Sequence, residues 1–336
     1  MAEPGSVTAG DRAGPGAGFN PAVVRLIVQR IVLSALLLLA VSVVVFAGTE
    51  FLPGDVAQMV LGQGATPAAL AGLRQALHLD QPAWLRYLHW LYGLVSGNLG
   101  TSLVNGMPVA ELVGGRLANS LLLALLTTIV TVPLALLVGI TAAVWRGTLY
   151  DRIVNVATIS AVSVPEFLFA TVAVLIFAVR LHWLPALSYA ADTHSFSGLI
   201  RSFALPVATL ALAIFAQMAR MTRAALVNTL GSSYVEMAVL KGVRPVRLVL
   251  YHALPNALGP IANAVALSLS FLLGGVVVVE VVFSYPGLAK LMVDAVSTRD
   301  MPLIQVCAMI FCAAYLLLVL LADIVAILSN PRLRHR

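Results

Sequence analysis

Several stretches of this chain are too long and too apolar to be buried in a water-soluble core, running over about 28–48, 117–144, 153–179, 203–219, 257–283 and 303–328. A helix rises 1.5 Å per residue, so roughly 20 apolar residues cross the hydrocarbon layer of a bilayer. With 60% of its residues hydrophobic, 10% charged and a mean hydropathy of +0.99, the chain lacks the polar surface that a soluble domain needs. The expected fold is all-α and polytopic, with six transmembrane helices. Pro133, Pro165, Pro206 and Pro260 lie inside or at the edges of these runs. Neighbouring helices of a bundle can re-satisfy the carbonyls they free. The run at 203–219 is short and leans on its flanks.

The formal net charge of +6 is scattered between apolar blocks, which speaks against nucleic acid and for membrane topology. With the N-terminus inside, the inner side receives Arg12, Arg25, Arg30, Arg146, Arg152, Arg220, Arg223, Lys241, Arg244, Arg247 and the Arg332, Arg334 and Arg336 tail. The outer side receives fewer cations over longer segments. Both termini are therefore expected in the cytoplasm. Residues 1–24 read as a disordered tail, 25–330 as the membrane domain and 331–336 as a basic tail; 49–116 lies outside and 220–256 inside. The first run follows Arg25 and Arg30 without a convincing cleavage site, and reads as a retained span rather than a signal peptide. Cys307 and Cys312 share one apolar block and cannot bridge each other along one helix.

In the outer segment, Thr66-Pro67 and Asp80-x-Pro82 look like helix starts. The second of these helices carries Trp84, Tyr87, Trp90 and Tyr92, side chains suited to the headgroup level. The inner connection is more informative. Ser233-Tyr234-Val235-Glu236 reads as a capping box opening a helix through Lys241, and Gly242 suits a left-handed stop. Pro245 opens a second short helix expected to close near Leu254-Pro255. A helix of about two turns is unstable alone in water. Its apolar residues Val235, Met237 and Leu240 must rest on the chain's own span ends or on a cytoplasmic partner.

At this point the chain resembles a known family. Glu236-Met237-Ala238, then Gly242, then Leu254-Pro255 is similar to the signature loop of binding-protein-dependent ABC importer permeases: EAA, three residues, G, nine residues, I-x-L-P. Met237 replaces the first Ala, and His252 stands where Ile is usual. Further motifs resemble the first permease subunit of the dipeptide, oligopeptide and nickel branch. They are Leu52-Pro53-Gly54-Asp55, Ala65-Thr66-Pro67, Leu79-Asp80-x-Pro82, Arg86-Tyr87 and Gly97-Asn98-Leu99-Gly100-x-Ser102. Later in the chain come Glu280-x-x-Phe283-Ser284-x-Pro286-Gly287-Leu288, Arg299-Asp300-x-Pro302 and Asn330-Pro331-Arg332-Leu333-Arg334, the last with Asn330 in place of Asp.

The resemblance implies a type I ABC importer permease fold, with a first span added to a five-span core. It also implies a bacterial inner-membrane location and a coupling loop docked on an ATPase. Ser233, Glu236, Met237, Ala238, Gly242, Leu254 and Pro255 are the loop residues. The implied partners are a second homologous permease, two ABC ATPases that bind ATP and Mg, and an extracytoplasmic binding protein. The expected cargo is a dipeptide or short oligopeptide, with glutathione-like peptides and nickel chelates as alternatives.

The chain holds no GxxxxGK[ST] loop and only two lysines, so ATP must be handled elsewhere. Its histidines show no ligand spacing, and no GxSxG elbow occurs, so neither a metal site nor a catalytic centre is expected. A secondary transporter working without an ATPase is the main rival class, and a membrane enzyme a second. Charges inside spans are functional candidates. Glu166, beside Pro165 in the third run, is one for the pathway, against a pair with a neighbouring subunit. Glu280 and Asp323, near span ends within reach of interfacial water, read as structural, and Gly274-Gly275 as a site of close helix packing.

Overall fold

The computed structural model describes residues 21–51, 66–76, 81–187 and 195–328. The Leu52–Asp55 motif, Ala65, Leu79-Asp80, the N-terminal tail up to residue 20 and the Asn330–Arg334 motif lie outside the described residues. The regular structure of the described residues is helical, beside one isolated antiparallel bridge between Thr101 and Pro108. In order come α1 (Pro21–Glu50), α2 (Pro67–Ala76), α3 (Ala83–Ser96), α4 (Val109–Val144), α5 (Leu149–Ser163) and α6 (Glu166–Ala173). They are followed by α7 (Phe196–Leu230), α8 (Ser233–Leu240), α9 (Leu254–Val282), α10 (Leu288–Thr298) and α11 (Met301–Leu328). Wide π-type turns extend α6 over Val174–Arg180 and precede α9 over Leu248–Ala253.

Among the described residues five helices are long and apolar enough to cross a membrane, or six if the bent pair α5–α6 counts as one. That pair is the third span expected at 153–179, bent at its proline. The helix breaks at Val164-Pro165 and turns by 97°. Proline has no N–H to give and disfavours a helical residue before it, and Val164 is accordingly extended. The short fourth run also proves long: α7 has 35 residues, because polar Arg201, Arg220 and Arg223 continue the helix beyond its apolar centre. Helix α1 begins at Pro21 rather than near 28.

The centre of the bundle is α4, α7 and α9, with α4 packed most extensively on α7. Their contact is tight where Gly139 faces α7: a methyl there would lie 2.6 Å from the Ala219 carbonyl oxygen and 2.8 Å from Thr222 Cβ. Leu123, Ala135, Leu210, Met218, Leu272, Val276 and Val279 form the buried centre. Helix α1 stands outside this core, against α11 and α3. It is tied to α11 by Arg30–Asp323 (3.0 Å) at one end and by Gln305 donating to Thr49 (2.6 Å) at the other. Helix α3 runs along α1, with Phe46, Tyr87 and Trp90 in mutual ring contact and the Tyr87 hydroxyl 2.9 Å from that of Ser42. Of the aromatic set expected at the headgroup level, Trp84 and Tyr92 are exposed whereas Tyr87 and Trp90 pack on α1. Cys307 is buried, Cys312 is partly exposed and both thiols are free.

At the arginine-rich end, α5 is pinned to α7. Arg223 donates to both Asp151 carboxylate oxygens, at 2.6 and 2.9 Å. The Gly147 N–H (2.9 Å) and the Asn155 amide (3.1 Å) occupy the remaining lone pairs. A buried ion pair adds little net stability, but breaking one leaves an uncompensated charge. Asp151→Ala is therefore expected to cost about 3 kcal/mol, and Asp151→Ala with Arg223→Met distinctly less. Thermal unfolding of the purified protein in detergent reads both.

Candidate functional site

The inner connection folds as a capped, half-buried helix. Ser232, not Ser233, takes the N-cap position of α8, and its hydroxyl donates back to the Thr229 carbonyl at 2.5 Å instead of accepting from the new helix. The expected capping box is thus not formed: Ser233 is the first helical residue, and both it and Glu236 are exposed. With two serines in a row, the one whose backbone is extended after α7 becomes the cap. The stop is as expected. Gly242 is left-handed at φ 76°, its N–H donates to the Val239 carbonyl (2.9 Å), and that of Val243 donates to Ala238 (3.2 Å). Those two bonds are the paired closure of a Schellman motif, which requires a residue at ease with positive φ.

This geometry sorts the apolar residues of α8 onto two faces. Val235 and Ala238 are buried against the bundle, so Val235 is not among the exposed residues. Met237 (54%), Val239 (54%) and Leu240 (75%) stay exposed, together with Tyr234, and Val246, Leu250 and Tyr251 follow on the next segment. The second short helix does not close at Leu254-Pro255. The π-type turn over Leu248–Ala253 runs without a break into α9, with Pro255 in its first turn. Proline is tolerated there because its missing N–H falls where the helix has least need of one. The C-terminal part of the loop, from Leu248, is therefore a helical extension of α9.

At the opposite end, segments far apart in sequence interlock. Glu280 is fully buried rather than near interfacial water. Its carboxylate accepts from the Ser120 hydroxyl and from the N–H groups of Ala289 (2.8 Å) and Lys290 (2.9 Å), the first turn of α10. An anion is best placed at a helix N-terminus. Ser120 also accepts from the Leu288 N–H (2.8 Å), and Asn119 donates to the Pro286 carbonyl (2.8 Å). Tyr285 donates its hydroxyl to the Asn119 carbonyl at 2.9 Å. Burial, aided by the Glu280 carboxylate, pushes that phenol's pKa up, so it stays a donor. Asp300 accepts from the Ser102 hydroxyl and from the Leu103 N–H (3.2 Å), joining the Gly97–Ser102 and Arg299–Pro302 motifs. Asn119, Ser120 and Asp151 carry no sequence signal, because the partners that fix them, Tyr285, Pro286, Glu280 and Arg223, are distant in sequence.

Glu166 sits just beyond the α5–α6 elbow, half-buried, in the first turn of α6. Its carboxylate lies against Gly275 of α9, where a methyl would come within 2.9 Å of Oε2 and 3.0 Å of the Leu210 side chain. Gly275 is thus a site of close approach, as expected, whereas Gly274 faces open space. Pro165 is exposed at the elbow.

Comparison with known proteins accounts for these features together. Residues 135–335 match the family described as binding-protein-dependent transport system inner membrane component, and residues 23–124 match the N-terminal region of such membrane components. The chain belongs to this family. It is 37% identical to the glutathione transport system permease protein GsiC of Escherichia coli O6:H1 over 299 residues, covering 89% of this chain and 95% of the relative. It is 36% identical over the same lengths to GsiC of Salmonella typhimurium. It is also 34% identical to the probable peptide ABC transporter permease protein y4tP of Sinorhizobium fredii, over 92% of this chain and 99% of the relative. The chain is therefore a multi-pass permease subunit of a bacterial ABC importer. Family membership implies, in general, an inner-membrane location and work with ATPase and binding-protein partners. The two matched regions meet in this permease: Ser120 lies in the N-terminal match, while Glu280 and Leu288, which it bonds, lie in the other.

Proposed function

We propose that this permease subunit pairs with a second, homologous permease and imports dipeptides or short oligopeptides, glutathione-like peptides included, handed over by an extracytoplasmic binding protein. Two ATPase subunits bind ATP and Mg and drive the cycle. Both termini and the α8 loop face the cytoplasm, the arrangement that best fits the arginine bias. Ser233, Glu236, Met237, Ala238 and Gly242, with Leu254 and Pro255 at the start of α9, form the coupling loop, which the ATPase grips by its exposed side while Ala238 packs behind it, and Pro165 and Glu166 border the pathway. The relatives named for glutathione and for peptides support the cargo class over nickel.

One observation carries the coupling role. Helix α8 buries Val235 and Ala238 but holds Met237, Val239 and Leu240 exposed on a short helix with a fixed stop, at the end where the spans leave the membrane. An apolar face presented this way gains most by meeting a protein groove. A secondary transporter has no use for such a projection.

The test is capture of the complete complex, co-expressed, through a tag on the second permease. Gly242→Val puts a β-branched residue at φ 76°, where it is strained, and distorts the loop without adding charge. The variant is expected to retain the second permease and lose the ATPases. Undiminished ATPase capture would remove this loop from the contact.

A further inference from the structure

We infer that Glu166 is the pathway's recognition group for a positively charged amine, so that the transported class is solutes bearing a free ammonium, such as the N-terminus of a short peptide. This rests on the importer reading above and adds a chemical requirement to it. A charged side chain inside an apolar span is disfavoured by about 2.5–3.5 kcal/mol on insertion scales, and is retained where it meets water, a partner or a substrate. Among the described residues Glu166 has no hydrogen-bond or ion-pair partner. Several cations of the bundle are engaged elsewhere: Arg223 holds Asp151, Arg30 holds Asp323, and Arg201 donates to the Trp183 carbonyl.

The surroundings are those of a contact surface rather than a core. The elbow residues Val164, Phe167 and Leu168 are 38%, 59% and 47% exposed, so the carboxylate lies at the edge of the subunit and not inside it. Helix α5 has 15 residues and extends about 22 Å from the arginine-rich end to the bend, and α5 and α6 together are long and apolar enough for one span. A carboxylate in a span is costly against lipid, and a water-filled pathway between permeases is a setting that keeps it charged. Gly275 completes the picture, since its missing side chain leaves room for the carboxylate, with the Leu210 side chain as the other wall. The first turn of α6 favours an anion at this place. An anion so seated, with an apolar wall behind it and an open front, attracts a desolvating ammonium and offers a carboxylate nothing.

The experiment uses the complete complex in lipid vesicles with binding protein and ATP. Initial uptake of tri-alanine and of N-acetyl-tri-alanine is measured at concentrations that saturate each rate, so that capture by the binding protein does not limit. Glu166→Gln is expected to slow tri-alanine about tenfold and the acetylated peptide less than twofold. Glu166→Asp retains most of the preference for the free amine, and Gly275→Ala, which crowds the carboxylate without removing it, lowers that preference by a smaller factor. An equal fall for both peptides identifies a fixed ion pair with the neighbouring permease or a packing role, and overturns the inference, as does an unchanged ratio. Failure of the unsubstituted complex to move either peptide with ATP instead sinks the peptide cargo proposed above, and this inference with it.

Discussion

Gly287→Ala is expected to leave almost no folded permease. Gly287 lies between the buried end of α9 and the start of α10, and a methyl built on it would sit 2.0 Å from one Glu280 carboxylate oxygen and 2.3 Å from the other. Neither the carboxylate nor the backbone has space to retreat. Glu280 is held by the Ser120 hydroxyl and two helix N–H groups, and Gly287 is held by its N–H bond to the Tyr285 carbonyl at 2.8 Å. Relieving the clash breaks the capping bonds of α10 and leaves a carboxylate buried without donors. Overpacking and lost charge-assisted bonds together place the cost at about 4 kcal/mol or more, an unusually large effect for one methyl group. The check is the yield of monodisperse protein and its unfolding midpoint in detergent. A double-mutant cycle separates this clash from a generic glycine effect: with Glu280→Ala in place, Gly287→Ala is expected to cost about 2 kcal/mol less than it does alone. An additive result would mean that the two residues are not in conflict.

Leu240→Asp is expected to do the opposite: little to stability and a great deal to coupling. The side chain is 75% exposed, so the isolated subunit should change by no more than about 0.5 kcal/mol. If the apolar face of α8 is what the ATPase grips, a charge placed there is desolvated on docking. Loss of an interface anchor of this kind costs about 2 kcal/mol, roughly a thirtyfold drop in ATPase affinity. Titration of purified ATPase onto the permease pair measures it. Val235→Asp, on the buried face of the same helix, is expected to abolish folding instead. A Leu240→Asp subunit that is stable and still binds ATPase with full affinity would exclude this face as the docking surface.

The contrast between these two sites matches how far each was legible in the sequence. Apolar runs reveal spans because the hydrocarbon layer demands them, but their ends extend where polar residues continue the helix, as α7 does through Arg220 and Arg223. The Gly242 stop was readable because its backbone requirement is local. The cap was misplaced by one residue because Ser232 and Ser233 offer the same side chain, and the path of the chain leaving α7 decides between them. Pro165 announced a break, yet the 97° angle depends on where α6 packs, against α7 and α9. The bonds of Glu280 to Ser120 and of Asp300 to Ser102 join residues 160 and 198 positions apart. Glu280, Ser102 and Asp300 lie in motifs visible in the sequence and Ser120 in none, and nothing in a linear string says which of them meet. The continuous turn from Leu248 into α9 was hidden for another reason: its hydrophobic pattern is that of two short helices as much as of one.

Helix α1 finds its principal neighbour in α11, the last helix of the described chain, through Arg30–Asp323 and Thr49–Gln305. During synthesis α1 must therefore wait, with α3 beside it, until α11 has also left the ribosome. The bond between Gln305 and Thr49, 256 positions apart, can form only then. A chain released early, before α11 emerges, leaves its opening helix adrift in lipid with Arg30 lacking its counter-charge, a state that quality-control proteases of the membrane are suited to detect.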